Sequence, residues 1–347
     1  TAIKAVAMLS GGLDSILAVK LILDQGIDVV GVNYDTGFLL AEHRREMAGK
    51  GAGTKMGTDR NEAVRAGKVL GIRVEVIDVA EEYMEVIRNP EHGYGKSVNP
   101  CIDCRIFMLK KIKEYMKNVG AKFIITGEVS GQRPMSQMRN TMRHIEKESG
   151  CDGILLRPLS AKLLAPTVPE INGWVDRDRL CSIGGRGRKR QMELAEKYEI
   201  RKYPQPAGGG CFLTDPNFAV RLKDLIKSCG KEAVKRNQME MLKVGRHFRI
   251  SDRAKAIVGR NEAENIFLEK RTKGMTKIYC ITRKGPLTVL EGECGVREIE
   301  IAAGITARYS SAKEKGSVTV KIEKEGGITE EIEINPMDNE TCGKMRI

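Results

Sequence analysis

The alternation of strand-like and helix-like segments over roughly the first 160 residues constrains this fold most. Short apolar runs predict strands over residues 3–9, 27–33, 73–79, 122–126 and 154–156. Amphipathic stretches between them predict helices over residues 15–24, 61–70, 106–118 and 134–149. Strands separated by helices of this length form βαβ units, because parallel neighbours need a crossover connection. The sequence therefore predicts a doubly wound α/β domain, with a parallel sheet covered by helices on both faces.

The pattern changes towards the C-terminus. From about residue 238, short alternating segments predict antiparallel strands, including residues 278–282, 288–291, 317–323 and 329–334. The chain of 347 residues is long enough for two domains. We therefore predict a first domain over residues 1–230 and a smaller α+β domain over residues 238–347. Glycine-rich residues 48–57 and 204–211 are predicted to be loops.

The charge of the chain indicates a polyanionic partner. It carries 59 Lys and Arg against 46 Asp and Glu, a formal net charge of +13. The excess is concentrated in residues 105–144 and 243–284, whereas residues 291–335 are acidic. A focused basic block can follow nucleic-acid phosphates, although a basic surface without a partner has the same composition.

The cellular compartment is predicted from the lack of a membrane-spanning segment and of a secretory leader pattern. No window approaches 18 uncharged apolar residues, and the first residues lack a secretory leader pattern. A cytoplasmic chain with no membrane partner is the expectation. Its nine cysteines are an odd number, which argues against a disulfide framework.

The strongest motif is a glycine-rich run placed between the first predicted strand and helix. It consists of Ser10, Gly11, Gly12, Leu13, Asp14 and Ser15. Small residues at a helix N-terminus let backbone N–H groups surround a phosphate, and the two serines can donate to its oxygens. Asp14 can hold Mg²⁺ or fix the loop. The alternative is a glycine turn that serves only as a helix N-cap.

A second motif, Asn99-Pro-Cys-Ile-Asp-Cys104, lies directly before the helix predicted over residues 106–118, which is rich in lysine. A C-x-x-C pair can be a redox dithiol, half of a zinc site or part of an iron–sulfur site. Cys211 follows three glycines and supplies a third thiol on a loop. The alternative is chance placement of cysteines. The four histidines show no paired metal spacing, so we expect them at the surface or facing RNA.

The run at residues 10–15 resembles the S-G-G-x-D-S signature of the PP-loop ATP pyrophosphatase superfamily. The resemblance implies that ATP binds with its pyrophosphate in this loop and that AMP is transferred to an oxygen. It also implies that adenine lies against Val32 and Asn33, and that Thr126-Gly127 forms a second phosphate-side turn.

The loop, the P-C-x-x-C motif and the Gly210-Cys-Phe212 segment together resemble the tRNA thiouridine synthetases. These enzymes adenylate a uridine oxygen of tRNA and replace it with sulfur from sulfide or a persulfide carrier. For the 4-thiouridine type, the resemblance implies a [4Fe-4S] cluster on Cys101, Cys104 and Cys211, with ATP and Mg²⁺ as the other cofactors. Asp14 and the three cysteines would be the catalytic residues.

Cluster-free persulfide chemistry, as in 2-thiouridine enzymes, is the alternative within the family. Some of those enzymes place a carboxylate three residues before the first cysteine, where this chain has Val98. Asp103 is a possible substitute. Outside tRNA thiolation, the alternatives are a PP-loop amide or nitrile synthase acting on a small molecule, a non-catalytic RNA-binding protein and a desulfidase. The oligomeric state is open, with a homodimer among the alternatives.

The basic C-terminal segments 244–250 and 256–265 are similar to the NFACT-R RNA-binding domain. A minimal form of 4-thiouridine synthetase joins a PP-loop domain to such a module, and this chain has that layout. We predict contacts with tRNA phosphates from Arg246, Arg249, Lys255 and Arg260. The alternative for these residues is a solvated basic face.

Overall fold

The computed structural model describes residues 3–50, 61–204, 210–312 and 316–347. Most of the two predicted glycine-rich loops, residues 51–57 and 205–209, lies outside these ranges. The chain divides into two compact units. The first comprises Thr1–Glu42 and Gly53–Thr214, and the second comprises His43–Ala52 and Asp215–Ile347. Within the described residues, no helix is both long and apolar enough to cross a bilayer.

The first unit contains a five-stranded sheet and eight described α-helices. Its strands are β1 (Lys4–Met8), β2 (Asp28–Asp35), β3 (Val74–Asp78), β4 (Phe123–Thr126) and β5 (Leu155–Leu156). Its helices are α1 (Leu13–Leu23), α2 (Leu40–Arg45), α3 (Glu62–Leu70), α4 (Ala80–Arg88), α5 (Cys101–Asn118), α6 (Arg139–Glu148), α7 (Val168–Ile171) and α8 (Lys189–Lys197). α2 continues beyond Glu42, into the segment that clusters with the second unit.

The sheet is parallel, in the order β3-β2-β1-β4-β5. Alternate residues of β1 enter different cores, because successive side chains of a strand point to opposite faces. Ala5 and Ala7 pack with α1, whereas Val6 packs with the inner face of α5. The predicted doubly wound α/β fold is confirmed. Its strand ends gather at one edge, where ligands bind in such folds.

The second unit is built on a six-stranded antiparallel sheet in the order β11-β10-β8-β9-β7-β6. Its strands are β6 (Arg246–Arg249), β7 (Ala254–Val258), β8 (Lys277–Cys280), β9 (Leu287–Gly292), β10 (Val318–Glu323) and β11 (Thr329–Ile334). Its α-helices are α9 (Pro216–Cys229), α10 (Arg236–Met241), α11 (Glu262–Arg271), α12 (Val296–Arg308) and α13 (Asn339–Met345). Ala256 and Val258 pack with α12, and Ile257 packs with α11. The predicted α+β domain is present.

The boundary between the units lies earlier than predicted. Residues 215–230 were assigned to the first domain, but α9 belongs to the second unit. The physical reason lies in Arg221 of α9, whose guanidinium donates to the carbonyl oxygens of Leu242 and Gly245 at 2.8 and 3.0 Å. These bonds join α9 to the entrance of β6.

Two predicted helices in the first unit differ from the structure. The helix expected over residues 134–149 begins only at Arg139, because Met135 has a φ of 67°, which an α-helix does not allow. α5 begins five residues before the predicted start, so both cysteines of the C-x-x-C motif lie in its first turn.

Candidate active site

The loop between β1 and α1 has the backbone that a phosphate site needs. Gly11 has a φ of 77°, and a Cβ there would lie 2.4 Å from the carbonyl carbon of Glu62, so only glycine fits. α1 begins at Leu13, and no side chain caps its N-terminus. The hydroxyl of Ser10 donates to that of Ser15 at 3.2 Å. An uncapped helix N-terminus beside two hydroxyls suits an anion.

The carboxylate of Asp14 lies at the centre of this site. Its Oδ2 accepts a hydrogen bond from the Gln132 side chain at 3.1 Å, and Arg188 lies 3.7 Å from its Oδ1. Oδ1 is buried and has no hydrogen-bond partner among the described residues. A carboxylate oxygen with free lone pairs is a ligand that Mg²⁺ prefers. Asp14 therefore fits a role in holding the Mg²⁺ of ATP.

The Thr126-Gly127 turn directly adjoins this loop. A Cβ on Gly127 would lie 2.5 Å from the backbone nitrogen of Ser15, so the two backbones touch. Thr126 is buried, and its hydroxyl donates to Glu128 at 3.3 Å. The turn therefore forms a wall of the site by backbone contact.

The residues predicted to meet adenine are inside the protein. Val32 is fully buried, and Asn33 is nearly so. The Asn33 side chain donates to the carbonyl of Leu9 at 2.9 Å and accepts from Asn61, the N-cap of α3, at 3.1 Å. Asn33 thus ties the end of β1 to the start of α3. Its contact with adenine stays a prediction.

Two of the three predicted cysteines share the first turn of α5. The Cys101 sulfur accepts a hydrogen bond from the Asn99 side chain at 3.1 Å. Burial raises the pKa of the Cys104 thiol, while the Tyr83 hydroxyl and Arg105 act in the opposite direction. Cys104 therefore favours its neutral form until a positive centre, such as a metal, approaches.

Cys211 is anchored next to these residues by backbone pairing. It forms an antiparallel bridge with Leu39, and the following Phe212 donates its N–H to the Phe38 carbonyl at 2.9 Å. On the other side, the N–H of Val98 donates to the carbonyl of Leu213 at 3.2 Å. The segment predicted to be a loop around Cys211 is thus held in place at its C-terminal end.

Tyr83 of α4 lies close to all three thiols. Burial raises the pKa of Tyr83 well above its ordinary value, and the charges of Cys104, Cys211 and Cys101 raise it further. The three cysteines predicted to act together therefore all lie within electrostatic range of one buried phenol, and Cys104 shares a hydrogen bond with it. Thiolate sulfurs are soft donors that can ligate the irons of an iron–sulfur cluster, as well as zinc or copper(I). A single ion would need closer convergence than a cluster, whose ligands bind different irons.

A buried ion network connects the cysteine helix with the phosphate turn. Glu128 is only 3% exposed, and its two oxygens lie 3.0 Å from Arg105 and 2.8 Å from Arg157. Burial alone would raise the pKa of Glu128, but the two guanidinium groups hold it below its ordinary value. Arg105 immediately follows Cys104 and also donates to the Met8 sulfur at the end of β1. The network fixes α5 against the ends of β1 and β4.

The turn over residues 131–137 contacts both halves of the site. Gln132 reaches Asp14, while the Met135 sulfur lies 3.6 Å from the Asn99 amide that contacts Cys101. Arg133 lies between Gln132 and Met135 in the sequence, and its guanidinium is within electrostatic range of both Asp14 and Cys101. A strained residue such as Met135 at a functional site is a recurrent feature of binding sites.

The candidate carboxylate Asp103 is already engaged elsewhere. It accepts the backbone N–H groups of Glu91 and His92 at 3.1 and 3.2 Å, and the His92 ring at 3.0 Å. Val98, which occupies the family's carboxylate position, is buried and packs in place. Asp103 therefore stabilises the loop before α5 and is a poor substitute for the missing carboxylate.

One of the four predicted RNA contacts must be corrected. Lys255 is only 1% exposed, and its ammonium lies 2.7 Å from Glu291 on the neighbouring strand β9. Since a buried cation paired with a carboxylate cannot meet a phosphate, Lys255 stabilises the sheet instead. His247 was expected at the surface or facing RNA, but it is fully buried. This burial lowers its pKa well below the ordinary value.

The other three cations differ in how far they are neutralised. Arg249 donates to both oxygens of Asp224, and Arg260 donates to Glu264 at 2.8 Å. Arg246 lies over the ring of Tyr309, 4.5 Å from its centre. Among the described residues, Arg246 has no carboxylate within ion-pair distance. It is therefore the best placed of the four to meet a phosphate.

We expect Arg246→Gln to weaken tRNA binding and to lower the slope of log K against log salt by about one. The reason is that one phosphate contact releases about one counterion. The measurement is fluorescence anisotropy with labelled tRNA at several salt concentrations. The matched control is Lys255→Met, with folding checked by circular dichroism, because this cation is buried. An equal fall in slope for both variants would contradict the assignment.

Two family models match the chain. Residues 3–156 match the model described as a tRNA methyl transferase HUP domain. Residues 245–346 match the model described as the NFACT protein RNA-binding domain. The two matched segments follow one another along the chain and do not overlap.

The curated relatives are tRNA thiouridylases. The chain is 36% identical over 104 residues to the tRNA-specific 2-thiouridylase of Beutenbergia cavernae, a match covering 29% of this chain and 26% of that protein. It is 27% identical over 214 residues to the enzyme of the same description from Dehalococcoides mccartyi, covering 60% and 54%. The chain thus spans between a quarter and about half of the length of these relatives.

Among solved structures, the chain is similar to the crystal structure of a 4-thiouridine synthetase–RNA complex with bound ATP. The identity is 18% and the TM-score is 0.33, over 57% of this chain and 51% of that one.

Sequence reasoning missed several residues of the site. Tyr83 lies on α4, a helix that was not predicted, although its buried residues Ala80, Tyr83, Met84 and Ile87 have helical spacing. The pairing of Arg105 with Glu128 joins positions that carry no common motif. Arg188 belongs to the basic run 186–190, whose charge alone gave no indication that it lies beside Asp14.

Proposed function

We propose that this chain is an ATP-dependent tRNA sulfurtransferase that converts a tRNA uridine into a thiouridine. The observation that supports this most is the single connected site around Asp14 and the cysteines. The turn over residues 131–137 contacts both Asp14 and Asn99, the neighbour of Cys101. An enzyme that activates an oxygen with ATP and then replaces it with sulfur needs these two centres close together.

In the first step, a carbonyl oxygen of the uridine attacks the α-phosphorus of ATP. The new P–O bond forms as the bond to pyrophosphate breaks, so the base becomes linked to AMP. Negative charge grows on the departing pyrophosphate, and the uncapped start of α1 and the Mg²⁺ on Asp14 would stabilise it. Arg133 would bind the α-phosphate, a role supported by its electrostatic interaction with both Asp14 and Cys101.

In the second step, a sulfur nucleophile attacks the adenylated carbon, and AMP leaves with the original oxygen. The oxygen must be adenylated because a carbonyl oxygen is a poor leaving group, whereas AMP is a good one. Cys101, Cys104 and Cys211 would hold a [4Fe-4S] cluster, which supplies an open iron for a sulfide ligand. Tyr83, buried among the three thiols, would exclude water from this side of the site.

We further propose 4-thiouridine as the product, with sulfide or a persulfide carrier as the sulfur donor in the cytoplasm. The cluster-free route in the 2-thiouridine enzymes uses a carboxylate where this chain has the buried Val98. Asp103 cannot easily replace it while bound to the loop at residues 91–92. A small-molecule amide or nitrile synthase would share the ATP loop but would have no use for the RNA-binding domain.

The test is a reconstitution under anaerobic conditions with unmodified tRNA, ATP, Mg²⁺ and sulfide. We expect one AMP and one pyrophosphate for each thiouridine formed. The product in the digested tRNA is identified by mass spectrometry together with chromatography against 2-thiouridine and 4-thiouridine standards, because the two isomers have the same mass. Formation of 2-thiouridine would support the sulfurtransferase activity but contradict 4-thiouridine as its product. Release of AMP without any dependence on tRNA would contradict the proposed function.

A further inference from the structure

Two histidines that are far apart in sequence meet at the surface of the first unit. His92 lies in the loop after α4, and His144 lies on α6. Their Nε2 atoms are 2.7 Å apart, and their rings are nearly perpendicular, at 72°. Imidazole nitrogens that point at one another from separate elements either share a proton or ligate a common ion.

The surroundings of His92 determine which ring nitrogen carries its proton. Its Nδ1 lies 3.0 Å from the Asp103 carboxylate, which also accepts two backbone N–H groups. An ionised carboxylate only accepts hydrogen bonds, so Nδ1 of His92 must be the donor. Neutral His92 therefore presents the lone pair of Nε2 towards His144. Asp103 is well fixed for this role, with its side chain only 11% exposed.

We propose that His92 and His144 bind a divalent transition-metal ion such as Zn²⁺ through their Nε2 atoms, with Asp103 as the outer-shell carboxylate. A carboxylate that holds the second nitrogen of a ligating histidine is the usual support of zinc sites. Imidazole donors select zinc, copper or nickel over magnesium and calcium. This inference does not depend on the proposed function.

The geometry needs little adjustment to admit the ion. At a Zn–N distance of 2.0–2.1 Å, two tetrahedral ligands lie about 3.3 Å apart, so the two nitrogens must separate by roughly 0.6 Å. His144 is exposed and can make this movement. One ligand atom each of Glu91, His92 and Asp103 lies within 4.8 Å of the others, but His144 is not part of that group. The two Nε2 atoms are therefore the protein donors that the described residues show for this ion, and water would complete its coordination. In the part of the chain that the structure describes, no other such group of three is found.

An ion bound at this site would connect three segments of the first unit. Asp103 stands between Cys101 and Cys104 in the first turn of α5, and His144 belongs to α6. A bound ion would therefore fasten the loop at residues 91–92 and α6 to the start of the cysteine helix.

The experiment is an anaerobic titration of the full chain with Co²⁺, followed by absorbance and calorimetry. Cobalt bound by nitrogen and oxygen gives ligand-field bands, whereas cobalt on thiolates adds intense sulfur-to-metal charge transfer. We expect His144→Asn to lose one equivalent of Co²⁺ that lacks the charge-transfer band. Asp103→Asn should weaken this equivalent by 10–100-fold without abolishing it, as outer-shell changes do.

The matched control is His43→Asn, which changes a histidine of the second unit and should leave the titration unchanged. Circular dichroism will verify that the variants are folded. A titration of His144→Asn that superimposes on that of the unsubstituted chain would overturn the proposal. So would a lost equivalent that carries the sulfur charge-transfer band, because that ion would belong to the cysteines.

Discussion

Asp14→Asn is expected to lower the rate of ATP-dependent thiolation by at least about a hundredfold, the size of effect seen when one group that stabilises transition-state charge is removed. Asparagine keeps the shape of the side chain and can still accept from Gln132. It loses the negative charge that fits Mg²⁺. The measurement is the rate of AMP and thiouridine formation at saturating ATP.

Binding of tRNA should change by less than twofold in this variant. Asp14 belongs to the first unit, whereas the match to an RNA-binding domain covers residues 245–346 of the second. The matched control is Asp24→Asn at the other end of α1, where the carboxylate pairs with Lys20 at 2.7 Å. A partly exposed ion pair of this kind contributes little to stability, so the control should keep its activity. A loss of tRNA affinity in Asp14→Asn as large as its loss of activity would refute this division of labour.

Cys101→Ser, Cys104→Ser and Cys211→Ser should each lower iron content and thiolation together, with activity reduced at least about a hundredfold. Because residues of one catalytic unit act together, a double variant should be little worse than a single one. The measurements are iron and acid-labile sulfide in anaerobically purified protein, with thiouridine formed per chain.

The controls use cysteines outside the site. Cys151 is buried against the backbone of α5, and Cys229 is exposed at the end of α9. Cys151→Ala and Cys229→Ala should therefore retain iron. An iron-free chain that is fully active with sulfide would rule out the cluster but not tRNA thiolation. In the persulfide alternative, the anaerobically purified chain also carries no iron. One cysteine would then receive its outer sulfur from a persulfide carrier, and activity would depend on the second thiol that resolves the persulfide.

The glycine loop between β1 and α1 was predictable because its parts are contiguous in sequence. A buried strand, two glycines, an acid and a helix follow one another within residues 3–24, so local sterics and the helix N-terminus suffice to place the loop. The structure places β1 and α1 on either side of Ser10-Gly11-Gly12, as expected. The parallel sheet was predictable for a similar reason, since hydrophobic period and segment length are local properties.

The predicted RNA-binding residues show where such reasoning ends. Lys255 has the same charge and a similar sequence neighbourhood to Arg246, yet one is buried against Glu291 and the other lies over Tyr309. Burial in a sheet depends on register, and a shift of one residue would exchange inner and outer positions. Charge in the sequence therefore identified the basic domain but not which cation faces outwards.

The class of the fold follows from the amino-acid sequence alone, because hydrophobic period and segment length are local properties. The glycine loop at residues 10–15 and the three cysteines were likewise chosen from local motifs, and their roles stay predictions. The contacts between these segments depend on how distant parts of the chain come together in the fold. Tyr83 among the cysteines, Arg105 and Arg157 on Glu128, Gln132 on Asp14 and the facing rings of His92 and His144 are all contacts between separate elements. They form because a parallel sheet brings the ends of its strands and the starts of its helices to one edge, whatever their separation along the chain.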